Sequence, residues 1–143
     1  LTLPLKKSLA KKQKSMKKAI QYYRKLLSFQ SVEYVPQATF NIAQMYRQLS
    51  IDVMSSQRPK GLDSLALEEY NLLLEEITYP FEEQAIELHK GNAQRAWQGI
   101  YDQWIMKSFE ELAELEPALY DRKHKLITND NNEGGLNGVI KIH

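Results

Sequence analysis

Three histidines, His89, His124 and His143, are the candidate metal ligands of this chain. A protein zinc site needs several nitrogen, sulfur or carboxylate ligands that converge on one point. Glu87 is the carboxylate closest in sequence to a histidine, but residues two apart, such as Glu87 and His89, do not face each other on a helix. The chain also contains no cysteine. We therefore predict no metal site and no cofactor.

Paired acids recur through the second half of the chain and could supply general acid–base chemistry. They are Glu68–Glu69, Glu75–Glu76, Glu82–Glu83 and Glu110–Glu111. Adjacent acids on an amphipathic helix are more often its solvated face. The sequence has no G-x-S-x-G motif, no phosphate-binding glycine loop and no dinucleotide fingerprint. We therefore expect no catalytic residues.

Charge is unevenly distributed although the net charge is only +1. Lysines crowd the N-terminal segment, and acids dominate from Gly61 to Asp121. The candidate basic patch is Lys11, Lys12, Lys14, Lys17 and Lys18. Such a patch could bind nucleic acid or an anionic membrane surface, but no arginine or aromatic residue lies among these lysines to read bases. A solvated helix face is favoured, and nucleic-acid or anionic-surface binding is the alternative. The charge asymmetry also suggests contacts steered by charge, either end to end between copies in a homo-oligomer or with a partner.

The apolar spacing predicts an all-α fold. One helix is expected from about Leu9 to Phe29, and two more face each other within Val35–Pro80, with Pro36 in a first turn and Asp63 or Ser64 as N-cap. The segment 81–116 forms either one very long helix or two, broken at Gly91–Asn92 or at Gly99, and Pro117 is expected to end it.

Residues 1–128 are predicted to form one helical domain, and 129–143 a flexible C-terminal tail. No apolar run approaches the roughly 18 residues that a membrane span needs. The chain does not begin with methionine, and we expect it to be the C-terminal fragment of a longer protein.

An internal repeat relates two of the predicted helices. Residues 18–27 (KAIQYYRKLL) align with residues 65–74 (LALEEYNLLL). Ala19 then matches Ala66, and Tyr23 matches Tyr70. Small residues in the middle of an apolar stripe, here Ala43 and Ala66, allow two helices to approach closely.

These residues give the chain a resemblance to the tetratricopeptide repeat (TPR) family, over roughly residues 15–120. In that family the second helix of a repeat carries alanine, then an aromatic residue four positions on, as at Ala19 and Tyr23 and again at Ala66 and Tyr70. The first helix carries a small residue and then tyrosine, as at Ala43 and Tyr46. The residues that fit the end of a third copy are Phe109, Leu112 and Pro117.

The spacing departs from the family pattern, because Ala43 and Ala66 lie about eleven residues further apart than in a consensus repeat. Eleven residues are almost three helical turns, so longer helices would keep their faces in phase. The resemblance therefore implies antiparallel helix pairs of an α-solenoid, with elongated helices and a long C-terminal helix. Residues 108–120 (SFEELAELEPALY) also resemble the C-terminal end of long bacterial TPR proteins of the cell envelope. This resemblance implies a bacterial protein of the cell envelope, on its periplasmic side, or of the cytoplasm.

The resemblance further implies a non-catalytic scaffold that binds a partner protein or peptide on its concave face. By position, the candidates on that face are Gln37, Asn41, Gln44, Arg47 and Gln48. A second candidate surface is the aromatic stripe Trp97, Tyr101 and Trp104, at i, i+4 and i+7 of the long terminal helix. Such a stripe is either core packing between helices or an exposed partner or self-association site.

Overall fold

The computed structural model describes residues 1–29 and 32–132. These ranges contain four α-helices and no strand: α1 is Leu5–Phe29, α2 is Val35–Met54, α3 is Ser64–Trp97 and α4 is Gln103–Asn132. A short 3₁₀ turn, Val32–Tyr34, precedes α2. The all-α prediction is confirmed. No helix of this described part is long and apolar enough to cross a membrane, as the sequence predicted.

Local sequence explains where three of the four helices begin. Pro36 lies in the first turn of α2, where its missing N–H costs nothing. The Asp63 carboxylate caps α3 and accepts a hydrogen bond from the backbone N–H of Ala66 at 2.8 Å. The Asp102 carboxylate does the same for α4, accepting from the backbone N–H groups of Trp104 and Ile105 at 2.9 Å. The predictions for Pro36 and Asp63 are confirmed.

The two prolines expected at helix boundaries lie inside helices instead. Pro80 lies within α3, and Pro117 lies within α4, so the prediction that Pro117 ends the helix is wrong. Around Pro80, Leu74 and Ala85 are both fully buried, so the same face of the helix is packed on both sides of the proline. Burial of that face outweighs the backbone hydrogen bond that proline removes.

Residues 81–116 belong to two helices, and the break lies at Gly99. This glycine has φ +82°, a left-handed backbone conformation that residues other than glycine rarely adopt. Gly91, in contrast, lies inside α3. The predicted boundary at residue 128 falls within α4, and 133–143 lie outside the described residues. The division into domain and tail therefore stays a prediction.

Contacts along α2 and α3 show that these two helices are antiparallel. The side-chain amide of Asn92 donates to the backbone carbonyl of Pro36, at the start of α2, at 3.0 Å. Nearer the end of α2, the Ser50 hydroxyl donates to the Glu82 carboxylate at 2.9 Å. Residue numbers rise along α2 as they fall along α3.

The fourth helix lies antiparallel to α3 and parallel to α2. The ring centroids of Phe40 and Trp104 are 5.5 Å apart, and Arg47 forms an ion pair with Glu111. Residue numbers here rise together along α2 and α4. The helix α2 therefore packs against α3 on one side and α4 on another.

The first helix runs antiparallel to α2. Tyr23 of α1 accepts a hydrogen bond from the Asn41 amide at 3.3 Å, and Lys12 forms an ion pair with Asp52. A groove of about 390 Å³ separates α1 from α2 and from Phe81 of α3. The second helix is thus the central element, in contact with each of the others.

The small residues of the repeat pattern differ in burial. Ala43 is fully buried within α2, as the close-approach prediction requires. Ala66 is only partly buried, near the start of α3. The repeat-related residues Ile20 and Leu67 also differ, because Ile20 is buried and Leu67 is exposed. The two copies of the repeat therefore have similar sequences in different environments.

Candidate interaction surfaces and a buried polar cluster

The five residues predicted on a concave face all lie on α2, and three of them are already engaged by neighbouring side chains. Asn41 donates to Tyr23 of α1, and Gln48 donates to Asp52 at 3.0 Å. Arg47 donates to Glu114 of α4 at 2.8 Å and pairs with Glu111. Gln37 and Gln44 are partly buried. Two of the five candidates, Asn41 and Arg47, thus link α2 to α1 and α4.

The three aromatic residues predicted as one stripe are divided between two helices and their connection. Trp97 is the last residue of α3, Tyr101 lies in the connection, and Trp104 is in the first turn of α4. Trp104 is partly buried against Phe40, with the Lys107 ammonium 4.6 Å from its ring centroid. This residue belongs to the packing between helices.

Trp97 and Tyr101, in contrast, lie on the surface. The exposed fraction is 89% for Trp97 and 64% for Tyr101. We call these two residues the α3–α4 aromatic pair. The outer side of α4 adds Met106 and Phe109, which are exposed and one helical turn apart. A partner that covered these large apolar side chains would gain binding free energy, because they are otherwise exposed to water.

The five lysines of the predicted basic patch lie on α1 and are all exposed. Lys12 pairs with Asp52 of α2. The other four, Lys11, Lys14, Lys17 and Lys18, form no ion pair with any residue that the structure describes. Their charge is therefore available to an external partner.

A buried polar cluster, which the sequence pattern did not predict, joins α3 to α4. His89, Asn92 and Ser108 have no exposed surface. The Asn92 amide donates to the Ser108 hydroxyl oxygen at 2.9 Å, and His89 Nδ1 lies 3.2 Å from the same oxygen. The Ser108 hydroxyl can accept from Asn92 and still share a hydrogen bond with Nδ1, as donor or as second acceptor according to the imidazole tautomer.

Electrostatics keep His89 neutral. Burial, aided by the positive charge of Arg47, lowers the pKa of His89 to about 4. Arg95 donates to the Asn92 side-chain oxygen at 2.9 Å, and burial also lowers the pKa of Arg95. The Phe40 ring contacts the imidazole edge-on, with centroids 5.5 Å apart. His89 Nε2 has no hydrogen-bond partner among the described residues.

A serine hydrogen-bonded to a histidine is also a component of nucleophilic catalysis. Here both side chains are fully buried, and the hydrogen bonds of the cluster join α2, α3 and α4. One sequence signal was available. Ala85, His89 and Asn92 follow each other at i, i+4 and i+7, which places the two polar residues on the buried face of α3.

Within the described residues, no group of three or more histidine, aspartate or glutamate side chains could hold a metal ion. His143 lies outside the described residues. Comparison with protein-family models, with curated proteins and with solved structures finds no match for this chain. Any function therefore has to be proposed from the sequence pattern and from these surfaces.

Proposed function

We propose that the chain is a non-catalytic, TPR-like helical module that binds a partner protein through the α3–α4 aromatic pair. The observation that carries this proposal is the exposure of Trp97, at 89%. Tryptophan and tyrosine dominate the energetics of protein interfaces, because they bury a large area at a small cost in side-chain entropy. Covering Trp97 and Tyr101 would remove both from water.

Several features of the helix packing support the TPR-like part of the proposal. Successive helices are antiparallel, α4 runs parallel to α2, and Ala43 is buried where helices approach closely. Helical repeats stack in this way, and each helix contacts only its near neighbours. Continuity of α3 through Pro80 departs from this pattern, because it joins two segments that a consensus array would separate.

The proposal favours the aromatic pair over the α2 face. Asn41 and Arg47 would have to leave Tyr23, Glu111 and Glu114 before they could bind a ligand. Breaking these contacts would cost part of the binding free energy. Trp97 and Tyr101 face no comparable competition because most of their surface is already in solvent.

Affinity capture from a native lysate, read out by mass spectrometry, tests the proposal. Three baits are compared: the wild type, a double variant with Trp97→Ala and Tyr101→Ala, and a matched control with Phe29→Ala. The control removes an exposed aromatic side chain from the end of α1. We expect a protein that the wild type and the control retain and the double variant loses. Circular dichroism should show equal helicity for all three.

A further bait with Asn41→Ala and Arg47→Ala distinguishes the two candidate faces. Loss of the partner in this variant alone would place the binding site on α2 and contradict the proposal. Retention of the same partner by every variant would also contradict it.

The exposed lysines of α1 favour a second candidate function, binding to nucleic acid or to an anionic surface. Such binding releases counterions and weakens steeply as salt is added. Gel-shift measurements with a DNA duplex would support it if affinity fell with salt and vanished when Lys11, Lys14, Lys17 and Lys18 were changed to glutamine. Binding that resists salt would count against it.

A further inference from the structure

The outer side of α1 carries a continuous stripe of positive charge. The helix contains no acidic residue between Leu5 and Phe29. Lysines follow one another at i, i+4, i+7, i+11 and i+18, and we call them the lysine stripe: Lys7, Lys11, Lys14, Lys18 and Lys25. Tyr22, which is 71% exposed, lies beside them. None of these lysines forms an ion pair with a residue that the structure describes.

The first half of α3 carries a face of opposite character. Leu65 and Leu72 are seven residues apart and therefore lie on the same side of the helix, with exposed fractions of 65% and 54%. Four exposed acids surround them, and together with the two leucines they form what we call the leucine–glutamate face: Glu68, Glu69, Glu75 and Glu76. These acids, too, have no ion-pair partner in the described part of the chain.

We propose that the lysine stripe of one copy docks on the leucine–glutamate face of a second copy. The stripe spans about 27 Å along α1, and the acidic face, from Leu65 to Glu76, spans about 17 Å along α3. The acidic face therefore fits within the length of the stripe. Lysine ammonium groups reach the glutamates, while the lysine methylene stems and the Tyr22 ring cover Leu65 and Leu72.

The two faces cannot meet within one chain. Both α1 and α3 pack on α2 through their inner sides, as the ion pair of Lys12 with Asp52 and the hydrogen bond of Ser50 to Glu82 show. Their outer faces therefore point away from the common neighbour. A surface on one copy that fits a different surface on the next makes a heterologous contact, which links chains head to tail.

A second copy explains more of the surface than nucleic acid does. A polyanion would neutralise the lysine stripe, but the four glutamates of α3 would remain without an ion-pair partner among the described residues and the exposed leucines would stay in water. A second copy satisfies both faces at once. The inference does not depend on the α3–α4 aromatic pair.

Reciprocal charge exchange tests this inference. The acidic-α1 variant carries Lys7→Glu, Lys11→Glu, Lys14→Glu and Lys18→Glu. The basic-α3 variant carries Glu68→Lys, Glu69→Lys, Glu75→Lys and Glu76→Lys. Lysine and glutamate have similar helix propensities, so both variants should keep their helices. Sedimentation velocity over a range of concentrations at low salt measures the association.

We expect the wild type to associate as its concentration rises, and each variant alone to associate at least about tenfold more weakly, because like charges then face each other. An equimolar mixture of the two variants should associate again, since each interface then pairs opposite charges. Raising NaCl from about 0.1 M to about 1 M shortens the screening length from about 10 Å to about 3 Å and should weaken the association.

A variant with Trp97→Ala and Tyr101→Ala should associate as the wild type does, which separates this inference from the proposed function. Three results would overturn the inference. The wild type could stay monomeric at every concentration, either charge variant could associate like the wild type, or the mixture could fail to recover.

Discussion

The imidazole of His89 lies between Phe40 and Ser108 with no surface exposed to water. The carboxylate nearest to His89 in sequence, Glu87, is two residues away and does not face it on a helix. Its actual partner, Ser108, lies nineteen residues further along the chain. That contact depends on the turn at Gly99, which folds α4 back on α3, so helix periodicity alone could not predict it.

Acidification should destabilise the protein through His89. Its pKa is about 4 in the folded chain and about 6.5 in an unfolded one, so the unfolded state binds the proton first. The stabilising contribution is complete above pH 6.5 and is lost as the pH falls towards 4. We expect the free energy of unfolding to fall by about 1.4 kcal/mol per pH unit in this window, about 3 kcal/mol in total.

Urea unfolding of the wild type and of His89→Gln at several pH values measures this contribution. Carboxylates titrate in both proteins, so the difference between the two isolates the histidine. The variant should lose less stability than the wild type between about pH 6.5 and pH 4. Parallel loss in both proteins would show that His89 is not held neutral by the fold.

Among the elements, α3 departs most from what its sequence predicts. The helix has 34 residues, with Pro80 near its middle. Apolar periodicity correctly predicted helices on either side of the proline, and Asp63 correctly marked the start. The helix-breaking tendency of proline, however, is a local property, and it does not show that Leu74 and Ala85 pack into one continuous core. Tertiary packing overrides a local preference in this element.

The substitution Pro80→Ala tests the continuity of α3. In a continuous helix it restores a backbone N–H donor and removes a ring clash, so the free energy of unfolding should rise by about 1 to 3 kcal/mol. A proline in the first turn of a separate helix costs nothing, and its replacement would be neutral or destabilising. Chemical denaturation decides between these outcomes, and unchanged or reduced stability would contradict a continuous α3.

The two glycines of the α3–α4 region should respond oppositely to alanine. Gly99 has φ +82°, so Gly99→Ala should destabilise the protein by about 1 kcal/mol through backbone strain. Gly91 lies within α3, and an added Cβ there would meet only the Arg95 guanidinium, at 3.8 Å. Gly91→Ala should therefore stabilise by up to about 1 kcal/mol. Thermal unfolding of both variants measures this, and a destabilised Gly91→Ala would argue against an uninterrupted helix there.

At the scale of the whole molecule, α2 organises the fold, and the interaction surfaces that we propose lie on the other helices. Five of its residues belong to the apolar core: Ala38, Ile42, Ala43, Leu49 and Val53. The TPR resemblance implied a binding role for the polar side of α2, but that side includes contacts with α1 and α4. The pattern could not show this, because ion pairs such as Arg47 with Glu111 join residues 64 positions apart.

We propose that the α3–α4 aromatic pair binds a partner protein, and site-specific photocrosslinking in the native host would detect that contact. A benzophenone amino acid would replace Trp97, and in a matched control it would replace Phe29, another exposed aromatic residue. We predict a discrete adduct with one protein at position 97 that is absent at position 29. No adduct at position 97, or the same adducts at both positions, would contradict the claim.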